Sequence, residues 1–212
     1  LFDGQNVFGH EGSFAGGWHA HEAVDALNRR RAGLAPVVVA IDHGNAQRVR
    51  ELSPWGQLDE LVAFVTSTIM PEVHRRHAIQ EGPEGHVVGG SSMGGLAALA
   101  AHFRRPDVFA GALAMSPSLW FHGEAIFELV RQAPNPYRSR VYLDCGGREA
   151  GGRMLAAARR MADELRARGW HETEPRRGDL GMWMKWQPDA RGTHDERAWA
   201  RRLPKALRFL FG

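Results

Sequence analysis

The segment HVVGGSSMGGLAALAAHF, His86 to Phe103, decides how the rest of the chain is read. Val87 and Val88 form a short β-branched run, Gly90-Ser91-Ser92-Met93-Gly94 follows at once, and a stretch rich in Ala and Leu comes next. That order predicts a strand, a very tight turn and a helix, with the turn carrying the pattern G-x-S-x-G centred on Ser92. Such a turn strains the backbone of its serine and crowds the positions two before and two after it. Those positions must be nearly free of side chain, as Gly90 and Gly94 are. Past the turn, the Met93 amide and the first turn of the helix direct unpaired N–H groups toward the serine oxygen, which favours a developing oxyanion. Gly95 and Ala98 let the helix lie close to the strand it left.

Short Gly/Ser patterns also precede ordinary core helices, so the setting matters. Upstream, Leu1 to Phe8 (LFDGQNVF) reads as a strand end running into a polar glycine turn. A domain rarely starts at the tip of a strand, so one or two earlier strands are expected to be missing from this sequence. Ala20, Ala23, Val24 and Leu27 recur at helical spacing, an amphipathic helix closed by Gly33. Pro36 to Ile41 is an apolar, β-branched run of the kind buried in a parallel sheet, and Asp42 to Trp55 reads as a polar loop. Leu58, Leu61, Val62 and Val65 predict a second helix, interrupted at Pro71 and resumed to His77.

Beyond the central segment, strands are expected at Ala110 to Met115, Val141 to Leu143 and Trp183 to Trp186. Helices are expected at Glu124 to Gln132, Gly151 to Arg168 and Glu196 to Phe211, the last restarted at Pro204. Strands alternating with helices mean βα units on a mostly parallel sheet, with the chemistry at the carboxyl ends of the strands. No repeat or linker divides the chain, so residues 1–212 are expected to form a single domain.

Composition excludes several classes. With 43% hydrophobic and 24% charged residues the chain has no disordered signature, and it contains no apolar run of about 18 residues that could span a membrane. Cys145 stands alone, so neither a disulfide framework nor a cysteine zinc site is expected, and a free thiol fits a reducing compartment such as the cytoplasm. The 27 basic and 24 acidic residues leave a charge of +3, and apart from Arg29-Arg30-Arg31 the arginines come as scattered pairs such as Arg176-Arg177. Without a basic stripe interleaved with aromatics, no nucleic-acid partner is expected. No phosphate cradle and no His/Asp/Glu cluster at metal spacing is evident, so no cofactor or metal is expected.

A serine needs a base to take its proton and a third group to hold that base, and in this fold the order along the chain is Ser, acid, His. Of the eleven histidines, His194 lies in the loop after the last predicted strand, in Asp189-Ala190-Arg191-Gly192-Thr193-His194, where the base must be. His10, His19, His21, His74, His77, His102 and His171 read as surface or helix-face residues, and His86 begins the central strand at its wrong end. His43 and His122 follow strand ends and could line a pocket. For the acid, Asp144-Cys145-Gly146-Gly147-Arg148-Glu149 offers two carboxylates. Asp144 could be committed to the sheet, whereas Glu149 stands beyond the glycine pair on a loop that can reach the base, and Glu149 is favoured. Asp195 and Glu196 read as caps of the closing helix.

DGQNVF at the start, RVRELSPW at Arg48 to Trp55, GGSSMGG, SPSLW, the GGRE loop and THDERAWARRLPKALRFLFG together resemble the putative-esterase group of α/β-hydrolases, the esterase D and enterochelin-esterase-like serine esterases. The resemblance runs from Asp3 to Gly212 and joins six separated blocks. It implies an α/β-hydrolase fold, a mostly parallel central sheet with helices on both faces, and departs from the group where one or two strands usually precede DGQN. It also implies Ser92 as nucleophile, Glu149 as acid, His194 as base and an oxyanion hole from the amides of Gln5 and Met93. The expected activity is cleavage of a small-molecule carboxylic ester through an acyl-enzyme. An acyltransferase and a non-catalytic binding protein on the same scaffold are the alternatives. The group spans acyl, feruloyl and siderophore esters and S-formylglutathione. Trp18, Trp55, Trp120 and Phe121 are candidate aromatic pocket walls.

Overall fold

Four parallel strands, β1 (Val87–Ser91), β2 (Gly111–Met115), β3 (Arg138–Gly146) and β4 (Gly181–Asp189), pair in chain order in the computed structural model. It describes residues 1–9, 13, 15–30, 35–172, 179 and 181–212; His10, Arg31, Gly33 and the pair Arg176-Arg177 lie outside the described residues. Helices α1 (Ala20–Arg30), α2 (Arg48–Leu52), α3 (Leu58–Phe64) and α4 (Met70–Arg76) precede the sheet. Helices α5 (Met93–Arg104), α6 (Ile126–Gln132) and α7 (Arg153–Ala167) connect its strands, and α8 (Glu196–Phe211) closes the chain.

The two-residue period of the strands sorts the core into two layers. Ala112, Ala114, Val141, Leu143 and Cys145 pack with α5 and α7 on one face, while Leu113, Met115 and Tyr142 pack with α1 and α8 on the other. A parallel sheet covered on both faces needs strands that are apolar throughout, and β2 is buried at every position. Helix α5 is buried from Met93 to Phe103, which explains its lack of a polar face. A Cβ on Gly95 would stand 3.0 Å from the Met115 carbonyl, so this helix sits on the sheet at a distance that a larger residue would push apart.

Several expectations need correction. Pro36 to Ile41 is not a buried strand. Ile41 forms a single parallel bridge with Phe2, Leu1 N–H donates to Val39 and Ile41 N–H donates to Leu1, while Val37 remains 43% exposed. Among the described residues its one backbone-bonded neighbour is the short run at Leu1 to Gly4, which is itself bonded to β1 through Phe2 N–H and the Gly89 carbonyl at 2.8 Å. The loop expected over Asp42 to Trp55 contains α2. Between α3 and α4, Val65–Ile69 forms a π-helical stretch just ahead of Pro71, the proline whose missing N–H and ring disturb the regular ladder. Strands β3 and β4 run well beyond the apolar cores at Val141 to Leu143 and Trp183 to Trp186, pairing with each other from Arg138–Gly181 to Gly146–Asp189. Helix α8 continues through Pro204.

His102 is not a surface residue either. It is wholly buried on α5, where Nδ1 bonds the Phe109 carbonyl at 2.9 Å and Nε2 faces the Ser139 hydroxyl at 2.8 Å. Burial pushes its imidazole from the ordinary 6.5 down to about 4, although the Phe109 carbonyl favours the protonated ring. The unfolded chain therefore takes up this proton first. The contribution to stability is complete above pH 6.5 and is lost as pH falls toward 4, up to about 3 kcal/mol. Comparing denaturant midpoints of the wild type and His102→Gln across that range is expected to give a flatter acid slope for the variant.

Candidate active site

Ser92 leaves the carboxyl end of β1 with φ 55° and ψ −120°, a conformation side chains rarely adopt. Its own N–H donates to Met115 at 3.0 Å, and its carbonyl accepts from Leu96 and Ser118, so the turn is held from both sides. A Cβ at Gly90 would stand 2.5 Å from the Gly94 backbone, and one at Gly94 would stand 3.0 Å from Asp3 Oδ2. Gly90 is therefore required by contact, and a side chain at Gly94 would have to displace the Asp3 carboxylate.

His194 and Glu149 converge on this serine from the loops after β4 and β3. His194 Nε2 lies 3.0 Å from Ser92 Oγ, and His194 Nδ1 lies 2.9 Å from Glu149 Oε2. A buried carboxylate can only accept, so Nδ1 carries the hydrogen and Nε2 offers its lone pair to the serine. His194 is held edge-on against Trp199 of α8, with ring centroids 5.0 Å apart. Asp195 caps α8 as expected, accepting from Ala198 N–H at 2.9 Å, and so fixes the loop that carries His194.

Asp144 and Glu149 are both buried but occupy different places. Asp144 is a residue of β3; Oδ1 accepts from the Ser116 N–H at 3.1 Å and Oδ2 lies 3.1 Å from Arg202 Nε. Burial pushes its carboxyl up to about 7, against the attraction of Arg202. Burial acts on Glu149 in the same direction, but bonds from His194, Ser116 and the Gly146 N–H outweigh it and hold Glu149 below the usual carboxylate range. The structure thus presents Glu149, not Asp144, to the histidine. The Cys145 thiol lies 3.5 Å from Glu149 Oε2, and burial pushes its pKa up, which keeps it protonated.

The first loop reaches the same place. Asp3 takes a left-handed conformation (φ 57°, ψ 50°), is buried, and is clamped by Arg48 through Nε at 2.6 Å and Nη2 at 2.8 Å. The Gln5 side chain bonds the backbone of His43 in both directions. The N–H groups of Gln5 and Met93 find no acceptor among the described residues. Asp3 Oδ2 would lie only 3.0 Å from a Cβ placed on Gly94, so the loop carrying Gln5 passes close to the turn carrying Met93.

The aromatic candidates separate. Trp18 is 1% exposed and packs on Trp199 in the core, so it has no surface to offer a ligand. Trp55 stacks on His122 at 4.7 Å, and Trp120 is 58% exposed with its ring edge-on to Phe121. An apolar cavity of about 390 Å³ lies by the Leu1 edge of the sheet, lined by residues such as Phe2, Val62, Met70 and Leu207, and none of Ser92, Glu149 or His194 borders it. Contrary to the expectation of no metal-type cluster, His19, His21 and Glu22 bring ligand atoms within 4.8 Å of one another. His19 directly precedes α1, and the exposed His21 and Glu22 sit in its first turn, whose positive end disfavours a cation.

Four groups at the site escaped the sequence reading: Ser116, Ser118, Arg48 and Arg202. Ser118 Oγ lies 3.3 Å from Ser92 Oγ. Arg202 had a legible signal, because it falls three residues after Trp199 and four before Ala206, on the buried face of α8.

A family model described as "Putative esterase" matches residues 1–210. The chain belongs to that esterase family. It is accordingly a hydrolase that acts on esters. Its fold is shared with an IroE-like serine hydrolase from Shewanella oneidensis, which is 17% identical with a TM-score of 0.72 over 100% of this chain and 68% of that one. A siderophore hydrolase, EstA from Aspergillus nidulans, is 21% identical with a TM-score of 0.69, covering 99% and 80%. The enterobactin esterase FES from Shigella flexneri is 22% identical with a TM-score of 0.66, and there 87% of this chain covers 45% of that one. Comparison with curated protein sequences returns no match. Among the described residues no helix is long and apolar enough to cross a membrane.

Proposed function

We propose that this esterase cleaves a carboxylic ester through an acyl-enzyme formed on Ser92. The observation that carries the reading is the unbroken line from Ser92 Oγ through His194 to Glu149, with gaps of 3.0 and 2.9 Å, ending on a serine held in a strained turn. His194 Nε2 takes the Ser92 proton as Oγ attacks the ester carbonyl, and Glu149 stabilises the imidazolium that forms. The N–H groups of Met93 and Gln5 receive the oxyanion. His194 then protonates the departing alkoxide, and water, deprotonated by the same nitrogen, releases the acid. Similar solved structures named as siderophore and enterobactin esterases, together with the exposed Trp120 and the Trp55–His122 stack near the Ser118 loop, favour an ester with an aromatic or siderophore-type acyl group. Treatment with a fluorophosphonate followed by peptide mass spectrometry tests the reading; an unlabelled protein, or an adduct elsewhere than Ser92, overturns it.

The Gln5 amide is tested by Gln5→Pro, which removes its N–H. The Gln5 side chain also clamps His43, so Gln5→Ala is the baseline, and its own loss of activity reports the clamp. Relative to that baseline, Gln5→Pro is expected to lower kcat by a further factor of about 100. Equal activity of the two variants would assign the second donor to another group than the Gln5 amide; the Asn6 N–H, the other candidate in this turn, is already given to the Asp3 carbonyl at 2.9 Å.

A further inference from the structure

Glu149 is held by a buried network that the proton transfers alone do not require. Trp199 Nε1–H donates to Ser116 Oγ at 3.1 Å, and Arg202 Nη2 donates to the same oxygen at 2.9 Å. Neither group can accept a hydrogen bond. The single hydroxyl proton of Ser116 therefore has one outlet, Glu149 Oε1 at 2.7 Å. Gly146 N–H reaches the same Oε1 at 2.8 Å, which leaves Oε2 as the oxygen facing His194.

The guanidinium of Arg202 is 4% exposed and stands among three carboxyl groups. Nε is 3.1 Å from Asp144 Oδ2, out of line for a hydrogen bond; Nη2 is 3.7 Å from Glu149 Oε1, and Nη1 is 4.0 Å from Asp189 Oδ2. Burying a cation is costly unless its charge is matched. We propose that Arg202 is a positioning residue of the catalytic site: it places a positive charge beside Glu149 and, with Trp199, turns the Ser116 proton onto Oε1, so that Oε2 is presented to His194. This rests on the roles proposed above for Glu149 and His194. The titratable and charged groups facing this cluster are Tyr142, Asp144 and Cys145 from β3, Asp189 from the end of β4, Glu149 and His194 from the loops, and Arg202 from α8. Burial pushes the Asp144 carboxyl up to about 7, which weakens it as a counter-charge to the guanidinium in the acid range, while the bonds to Glu149 hold that group below the usual carboxylate range.

Removing a neighbouring positive charge raises the proton affinity of the Glu149–His194 pair, whichever of the two takes the proton. Arg202→Gln is therefore expected to move the acid limb of the kcat/KM profile upward by about one pH unit. Its kcat is expected to fall about tenfold to a hundredfold at unchanged KM. Arg202→Lys keeps the charge and is expected to keep the limb where the wild type has it. A limb that stays in place in Arg202→Gln overturns the proposal, whatever the kcat. Should Arg202→Gln fail to fold, Ser116→Ala decides. It leaves the guanidinium and cuts the relay, and is expected to lower kcat about tenfold at constant KM and to shift the most downfield imidazole proton of His194; no change in either overturns the proposal. Phosphonate labelling of the wild type separates the two levels. No label on Ser92 removes the functional reading itself, whereas a labelled enzyme with an unmoved limb removes only the role of Arg202.

Discussion

Ser92→Ala is expected to lower kcat for ester hydrolysis by a factor of about 10⁴ to 10⁶, leaving the small residual rate that binding and the oxyanion donors provide. The fold is expected to survive. Among the described residues the oxygen removed is hydrogen-bonded only to His194 Nε2 and Ser118 Oγ, while the bonds that hold the turn are backbone bonds to Met115, Leu96 and Ser118. Alanine inherits the same strained backbone, so the unfolding free energy is expected to change by less than about 1 kcal/mol. Two other hydroxyls are close enough to confuse the assignment. Ser118 lies 3.3 Å away and Ser91 is the neighbour in β1, but Ser91 is buried and neither is within hydrogen-bond reach of His194. A variant that keeps its rate, or a phosphonate adduct that moves to Ser118, would show that the base serves a different nucleophile.

The second large effect is expected from Glu149→Gln, about 10³-fold to 10⁴-fold in kcat with little change in KM. The surroundings dictate how the amide must sit. Oε1 receives two donors, the Ser116 hydroxyl and the Gly146 N–H, so the glutamine carbonyl oxygen belongs there. Its NH₂ is then left in the place of Oε2, pointing at His194 Nδ1. That nitrogen must become an acceptor, the hydrogen moves to Nε2, and the imidazole can no longer take the serine proton. Asp144→Asn is expected to cost far less in kcat, because Asp144 faces Arg202 and the Ser116 amide rather than the histidine. The opposite ranking, with Asp144→Asn crippling and Glu149→Gln mild, would reassign the acid.

What could be read in the amino-acid sequence was what local rules specify. Ser92 was marked by the glycines that the turn requires, and His194 by its place between a strand and a capped helix. Glu149 stood out from Asp144 because the glycine pair takes the chain off the sheet before reaching it. The structure brings these three side chains together. Less legible were features that depend on what lies across the fold. Pro36 to Ile41 has the composition of a buried strand, yet burial needs a partner on each side, and among the described residues only the Leu1 side has one. His102 looks like an exposed polar residue on a helix until the packing of α5 on β1 and β2 encloses it. Trp18 and Trp120 are the same residue type, and only the docking of α8 makes one of them core and leaves the other at the surface. Ser116 and Arg202 act on Glu149 from separate elements, so neither has a motif.

Ser92 and His194 are 102 positions apart in the chain, and the histidine is held in place by a helix that follows it. The proposed reactive centre is therefore assembled by long-range packing and not by the local turn alone. The strand, the strained turn and α5 are built from neighbouring residues, whereas Trp199 and His194 are placed by α8, which packs against Tyr142 and Met115. On the proposed reading, a chain whose C-terminal helix is not docked holds the serine without a positioned base, so hydrolysis requires the completed architecture.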